Sequence, residues 1–485
     1  RTERKDCMMD RLQRKKRTLI LGLLACALLI TPLAASAAPP TEPTDGCTGV
    51  VQIPLSECQA LETLYNSTAG PQWTDKSGWL VTTTPCSWYG VTCQSGHVTE
   101  LDLQDNNLNG SLPSQLADLT SLERLLLLRN DLAGSIPTSL GSFGQLQELD
   151  LSENDLTGGI PSQLGSLAQL QRLRLSNNML TGAIPSQVGN LSALQVLDIS
   201  TNQLTGQIPA GFSGLSNIEE LLLANNQLTG SIPTQLTGLT HLRRLVLARN
   251  QLTGAIPSQL GNISTLTYLI LDHNQLSGAI PPGLGSLPVL RFLVLSNNRL
   301  TGSIPVELAN VATLQEVWVN SNALSGSVPA GLCDLENLSY MDLGYNAITS
   351  APACILTFDP FWEETQTVAP ADFHATNATG SSISLAWTPI EYTYHGGYYE
   401  ISYRPAGGSF VVAGTTADKT ANTFTVTGLT PNLTYELRIR TYTPAHDTPP
   451  AYQQNALWSD YTTTTAQTVP GSVMLKTYLP LLQVH

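Results

Sequence analysis

The sequence predicts an α/β solenoid, mostly β with 3₁₀ turns, followed by a small all-β sandwich. Three observations carry that expectation. Asparagine recurs every 24 residues at Asn106, Asn130, Asn154, Asn178, Asn202, Asn226, Asn250, Asn274, Asn298, Asn322 and Asn346 without an insertion. The period stops after Phe358-Asp359-Pro360, where alternating strand-like segments begin. With 38 Gly and 30 Pro in 485 residues and only 12% charged residues, the chain is built of many turns rather than long helices.

Around each asparagine the pattern is L-x-x-L-x-L-x-x-N-x-L-x-G-x-I-P, as in Leu146, Leu149, Leu151, Asn154, Leu156, Gly158, Ile160 and Pro161. The spacing of Leu149 and Leu151 is that of a strand whose alternate side chains face one side, so both point inward. An asparagine at the end of that strand fits a different task. Buried where the chain turns away, its amide satisfies backbone groups that the bend leaves unpaired, and successive copies form a ladder. The glycine permits backbone angles that a side chain hinders, and the proline ends strand pairing. On the return path Leu164, Leu167 and Leu170 follow at every third position, the period of a 3₁₀ segment. A single turn cannot bury these leucines alone, so the core closes only by stacking and both ends need caps. At ~4.8 Å per strand, eleven turns extend about 50 Å.

The formal charge of -14 argues against nucleic acid as a partner, because no basic stripe is present to displace counterions. Residues 1–37 read as a secretory leader: Arg14 to Arg17 are basic, Leu19 to Ile30 is apolar, and Ala35-Ser36-Ala37 marks a cleavage site. The leader up to Ala38 has eight basic and three acidic residues, so its removal takes -14 to -19. A lipid anchor at Cys26 or an uncleaved leader is the expected route to a membrane, if there is one. Six cysteines follow the leader: Cys47, Cys58, Cys86, Cys93, Cys333 and Cys354. They cluster at the two ends of the periodic region, and the shortest-loop pairing joins 47 to 58, 86 to 93 and 333 to 354. No Cys/His spacing suggests zinc, and no cofactor is expected.

The L-T-G-x-I-P segment Leu180-Thr181-Gly182-Ala183-Ile184-Pro185 resembles the hallmark of plant-type leucine-rich-repeat proteins. The resemblance implies a right-handed superhelix of about eleven repeats. Trp73, Trp79 and the stretch Pro85-Cys86-Ser87-Trp88-Tyr89-Gly90-Val91-Thr92-Cys93 resemble that family's amino-terminal cap, and Leu332-Cys333 to Cys354 its carboxy-terminal cap. In the last turn Ser350 replaces the glycine and Pro352 is displaced by one residue, as expected where stacking ends. Further on, Ile383-Ser384-Leu385-Ala386-Trp387, Tyr399 to Tyr403 and Leu429 to Tyr435 resemble a fibronectin type III domain. There Trp387 is expected in the core and Tyr435 as the corner tyrosine. The expected organisation is leader 1–37, cap 38–97, repeats 98–332, last repeat and cap 333–365, sandwich 366–467 and tail 468–485. The tail resembles short sorting segments of secreted bacterial proteins.

Family likeness implies an extracellular recognition protein for a protein, peptide or glycan, with a secreted hydrolase inhibitor or a structural or adhesive cell-surface protein as alternatives. No kinase-like sequence follows the repeats, so a transmembrane receptor kinase is not expected. Outward positions on the strand face lie four and six residues before each asparagine. In the first turns they alternate in charge, as in Glu100, Arg124, Glu148 and Arg172, which read as cross-strand ion pairs. Later turns carry Tyr268, Ile270, Phe292, Val294, Trp318 and Tyr340, the candidate centre of a ligand-binding surface. Such residues also stabilise strands without any ligand. Catalysis is not expected: His97 and His273 lack a nucleophile beside them, Asp150 and Asp198 lie two turns apart, and no catalytic motif occurs. Asn66, Asn190, Asn262 and Asn377 head Asn-x-Ser/Thr triplets, which matter only in a glycosylating host.

Overall fold

A computed structural model describes residues 46–446 and 455–470. The leader and most of the tail lie outside the described residues. In the cap, helix Leu55–Ser67 buries Cys58, Ala60, Leu61 and Leu64. Nothing in the 24-residue pattern announced this helix, because it precedes the first repeat. Disulfide Cys47–Cys58 ties the incoming chain to it, and Cys86–Cys93 closes the loop before the first strand. Tyr65, Trp73 and Trp79 fill the space between, with ring centroids 4.8 to 5.9 Å apart. Buried indole nitrogens have partners, since Trp73 Nε1 donates to Thr68 O at 2.9 Å and Trp79 Nε1 to Tyr89 O at 2.9 Å.

A hairpin of Val91–Gln94 and His97–Asp102 opens the main sheet, which has twelve strands. After it each coil adds one parallel strand in unbroken register, from Arg124–Leu126 to Tyr340–Asp342. The central leucine of each strand, such as Leu149, Leu173 and Leu245, is fully buried. Each coil then returns through a five-residue 3₁₀ segment such as Ser258–Asn262, in most cases after a short flanking strand such as Thr253–Ala255; the coil of Asn226 has only the bridge of Thr229 to Gln207 there. One core cluster runs unbroken from Cys47 in the first cap to Trp362 beyond the last coil.

The asparagines stitch the coils together. Asn250 Nδ2 donates to Leu223 O in the preceding coil at 3.0 Å, and to Leu247 O at 3.1 Å and Ala248 O at 3.3 Å in its own. Its Oδ1 accepts the Leu228 N–H at 3.0 Å. Asn154, Asn178, Asn202, Asn226, Asn274, Asn298, Asn322 and Asn346 repeat this arrangement. The residue before each rung adopts left-handed backbone angles whatever its type, including Arg249 (φ 54°), His273 (φ 54°) and Tyr345 (φ 57°). Holding a bulky residue there costs energy, and the rung's bonds to the carbonyls on either side offset it.

At the far end the rung after Asn346 is a glutamine. Gln366 Oε1 accepts the Ile348 N–H at 3.0 Å, while its Nε2 donates to Leu343 O at 3.1 Å and Trp362 O at 2.8 Å. Disulfide Cys333–Cys354 braces the same end. Pairing of the flanking strands slips between Gly326 and Ser327, opposite Ile348 and Ser350.

The sandwich packs a three-stranded sheet (Ala371–Ala378, Ser382–Thr388, Thr423–Thr427) against a five-stranded one, to which Tyr398–Pro405 and Thr434–Thr443 are central. Trp387, Tyr399, Ile401, Leu437 and Ile439 form its core. The Tyr435 hydroxyl accepts the Thr430 N–H at 2.9 Å, which fixes the corner.

Replacing Asn250 by Ala leaves one buried N–H and the shared carbonyls short of partners, and is expected to cost about 3 kcal/mol or more of stability. Gln366→Ala is expected to fray the last coil, with faster amide exchange at Ile348 than at Leu228. Denaturant unfolding and hydrogen-exchange mass spectrometry check the two.

Candidate functional site

The concave sheet divides into an ionic half and an aromatic half. In the first, Glu148 receives three guanidiniums: Arg174 Nη1 at 2.7 Å, Arg124 Nε at 3.4 Å and Arg172 Nη1 at 4.0 Å. Arg124 also reaches Glu100 at 3.0 Å. These are the cross-strand pairs that the alternating column implies. Two positions read as outward are buried instead: Leu126 is 5% exposed and Asp150 7%. Asp150 lies beneath its neighbours, with Arg174 Nη1 at 3.9 Å, and its Oδ1 accepts the Ser152 N–H at 3.0 Å. Burial raises its pKa, against the opposing pull of Ser152 and Arg174.

Asp198 is turned the same way, accepting from the Ser200 N–H at 3.0 Å and the Ser200 hydroxyl at 2.6 Å. Both aspartates close the strand ends locally. His97 does not face the groove. It belongs to the cap, where its Nδ1 lies 2.6 Å from the buried Glu57, which also accepts the Val98 N–H. His273 sits in the left-handed turn with its Nδ1 2.8 Å from Asp272.

In the aromatic half, strand register sets Tyr268 beside Phe292 and Ile270 beside Val294, and then Val294 beside Trp318. Tyr268 and Phe292 are stacked with centroids 4.7 Å apart and planes 3° from parallel. Trp318 and Tyr340 meet at 4.5 Å. Five of the six candidates are half-buried and Tyr340 is exposed, so the rings cover one another as well as facing outward. The ionic half joins this surface through Arg244, which pairs with Glu220 at 3.4 Å and lies 5.2 Å from the Tyr268 ring centroid.

Carboxylates interrupt the apolar run. Glu316 lies between Phe292 and Tyr340 and accepts from Trp318 Nε1 at 2.8 Å, and Asp342 lies beside Trp318. Burial pushes the Asp342 carboxyl up to about 6, helped by the Asp359 carboxylate and opposed by the Gly344 N–H. Counting positions back from the asparagine located these two acids, but only the assembled sheet reveals that they divide the patch. The arrangement is chemically one of contact: rings, aliphatic groups and carboxylates on a rigid sheet. Among the described residues no group of three His, Cys, Asp or Glu is placed to hold a metal ion.

The leucine-rich repeat region profile matches residues 133–280, the single leucine-rich repeat profile residues 97–119 and 289–311, and the repeat N-terminal domain profile residues 54–94. The fibronectin type III profile matches residues 368–454. The crystal structure of a plant ice-binding protein is 30% identical, with a TM-score of 0.52, over 62% of this chain and 97% of that one. The chain belongs to the leucine-rich-repeat family. The ectodomain of the Arabidopsis receptor kinase HAESA, solved with an extended IDA peptide hormone, is 35% identical, with a TM-score of 0.54, over 60% of this chain and 49% of its own. A probable leucine-rich repeat receptor-like protein kinase of Arabidopsis thaliana is 48% identical over 67 residues, 14% of this chain and 10% of that protein. Leucine-rich repeat protein 2 of the same plant is 44% identical over 73 residues, 15% of this chain and 34% of its own. The chain thus spans a tenth to a third of these curated relatives and about half of the receptor ectodomain. All four are plant proteins and lend no support to the bacterial affiliation expected from the tail.

Because the folded-state pKa of Asp342 is raised, its proton stabilises the fold below the unfolded value near 3.8, and that contribution is lost as pH rises through about 6. Asp342→Asn, which mimics the protonated form, is therefore expected to raise the denaturation midpoint at pH ~7 and to match the parent near pH ~4. Urea titrations at the two pH values check this.

Proposed function

We propose that the chain acts outside the cell as a non-catalytic recognition protein, binding a peptide or extended protein segment along the aromatic half of the concave sheet. The observation that carries the proposal is the pair of ring contacts, Tyr268 on Phe292 and Trp318 on Tyr340, set two strands apart on a surface otherwise rich in ion pairs. Rigid aromatic groups give large contact area with little entropy left to lose, and they commonly dominate binding energy. HAESA, whose ectodomain resembles these coils, is solved with a peptide hormone. Glu316 and Asp342 favour a ligand with a basic group between apolar anchors. The sandwich serves as a spacer.

A second reading rests on the opposite flank of the coils. Thr181, Thr205, Thr229, Thr253, Ser277 and Thr301 recur once per coil beside glycines, staggered by two residues from strand to strand, so that Thr205 lies opposite Ala183 and Thr301 opposite Ala279. Hydroxyls repeated at a fixed interval order water regularly, and the plant ice-binding protein is covered almost end to end by this chain. On this reading the flank adsorbs to ice.

Peptides selected from a random display library against the chain are expected to lose about tenfold or more in affinity, ~2 kcal/mol, for each of Phe292→Ala and Trp318→Ala. Selected peptides that bind both variants as tightly as the parent would dispose of the concave site. The ice reading predicts slower recrystallisation in a frozen sucrose film, abolished by Thr205→Lys with Thr229→Lys. A parent chain no more active than serum albumin at equal mass sinks it.

A further inference from the structure

Where the last coil meets the sandwich, four rings and a buried ammonium gather. Tyr345, the left-handed residue before the last asparagine of the ladder, presents its ring to the sandwich: its centroid lies 5.7 Å from Tyr392, 6.4 Å from His395 and 6.1 Å from His446. The two imidazoles are stacked face to face, centroids 3.8 Å apart and planes 10° from parallel. Both reach the same hydroxyl, with Tyr392 Oη 3.0 Å from Nδ1 of His395 and 3.0 Å from Nε2 of His446.

A hydroxyl carries one proton. In the arrangement that uses it fully, Tyr392 donates to one imidazole nitrogen and accepts from the other, which requires that the first ring be neutral. The surroundings already hold a cation. Lys419 is 1% exposed, and its Nζ lies 4.0 Å over the Tyr392 ring and donates to Tyr394 O at 3.0 Å and Thr443 Oγ1 at 3.3 Å. Burial, and then the Lys419 charge, hold His395 below the usual imidazole range. On the solenoid side the ionisable group facing Tyr345 is Asp342, and burial makes it lose its charge at about pH 6. Asp418, next to Lys419, is exposed and bonded to Thr420. Acid therefore adds positive charge to the His395 ring, which is stacked on His446 beside Lys419, while it removes negative charge from the opposite side.

The cluster is tied to the asparagine ladder. Thr443 Oγ1 also accepts from Thr367 Oγ1 at 2.8 Å, and the Thr367 N–H donates to Asn346 O at 2.8 Å. A change in the ring cluster is thus felt at the end of the solenoid.

We propose that His395, His446 and Tyr392, closed against Tyr345, form a pH-sensitive latch that holds the sandwich on the last coil near neutrality and releases it in mild acid. Closure holds the buried, stacked His395 ring neutral beside Lys419, so the closed form binds fewer protons there than the open one, and it weakens as pH falls through the ordinary imidazole range near ~6.5. The inference does not depend on what the concave face binds. Its consequence is positional: the angle between the repeats and whatever the sandwich stands on becomes a function of acidity.

Small-angle X-ray scattering of the whole chain between pH ~7.5 and ~5 tests the latch. The expected result is a reversible rise in radius of gyration centred near pH ~6, with far-ultraviolet circular dichroism unchanged. In the double variant His395→Phe, His446→Phe, which keeps the stacking without the charge, the rise is expected to vanish. In Asp342→Asn it is expected to remain. A constant radius for the parent chain, an equal rise in the double variant, or loss of the rise in Asp342→Asn would each overturn the proposal.

Discussion

The buried carboxamide at the end of each concave strand is the constraint on which the rest depends. Leucines alone would collapse into a core, but they do not say where one coil ends and the next begins. Asn250 does, because its donors and acceptor reach backbone groups of two consecutive coils at once. A hydrophobic residue of similar size would leave those groups unpaired away from water, a penalty of ~1–3 kcal/mol for each. Register then follows without further instruction. Since the strands pair in parallel with no slip from Arg124 to Asp342, side chains four and six residues before each rung fall into straight columns.

Those columns divide the concave face by energetics as well as by composition. Exposed ion pairs contribute little, typically ~0–1 kcal/mol, so the contacts around Glu148 serve to hold long side chains in place more than to secure the fold. In such a network the arginines are already occupied. The aromatic half is different: its rings touch each other, yet one edge or face of each stays open, and removing that surface from water is favourable for any partner of matching shape. At the proposed binding surface Asp342 and Glu316 would supply selectivity, because a partner that buried them would have to bring a compensating charge or donor.

Much of this was legible in the sequence, for physical reasons that differ by region. The 24-residue period translates directly into coils, since nothing is inserted between Val98 and Pro352, and the Ser350 irregularity reappears as the slip beside Gly326. The cysteine pairs are joined in the order that shortest loops imply. Column counting fails where side chains lean on one another. Asp150 is outward by register yet buried, because the arginines that reach Glu148 and Asp150 also cover it. The repeat pattern does not reveal the partner of His97, because Glu57 lies 40 residues earlier on a helix outside the repeat. The stacking of His395 on His446 joins residues about 50 positions apart through sandwich topology, and no local pattern encodes it.

Gln366 shows how the array stops. One methylene longer than asparagine, it reaches Ile348 across 18 residues where each asparagine spans 22, and so receives the last open N–H from a segment that is no longer a coil. Because this terminator reads only backbone groups, it is indifferent to which coil precedes it. Whole units can then be duplicated or deleted upstream while both ends stay intact, so the reach of the groove is free to evolve in integral steps without any new solution for its boundaries.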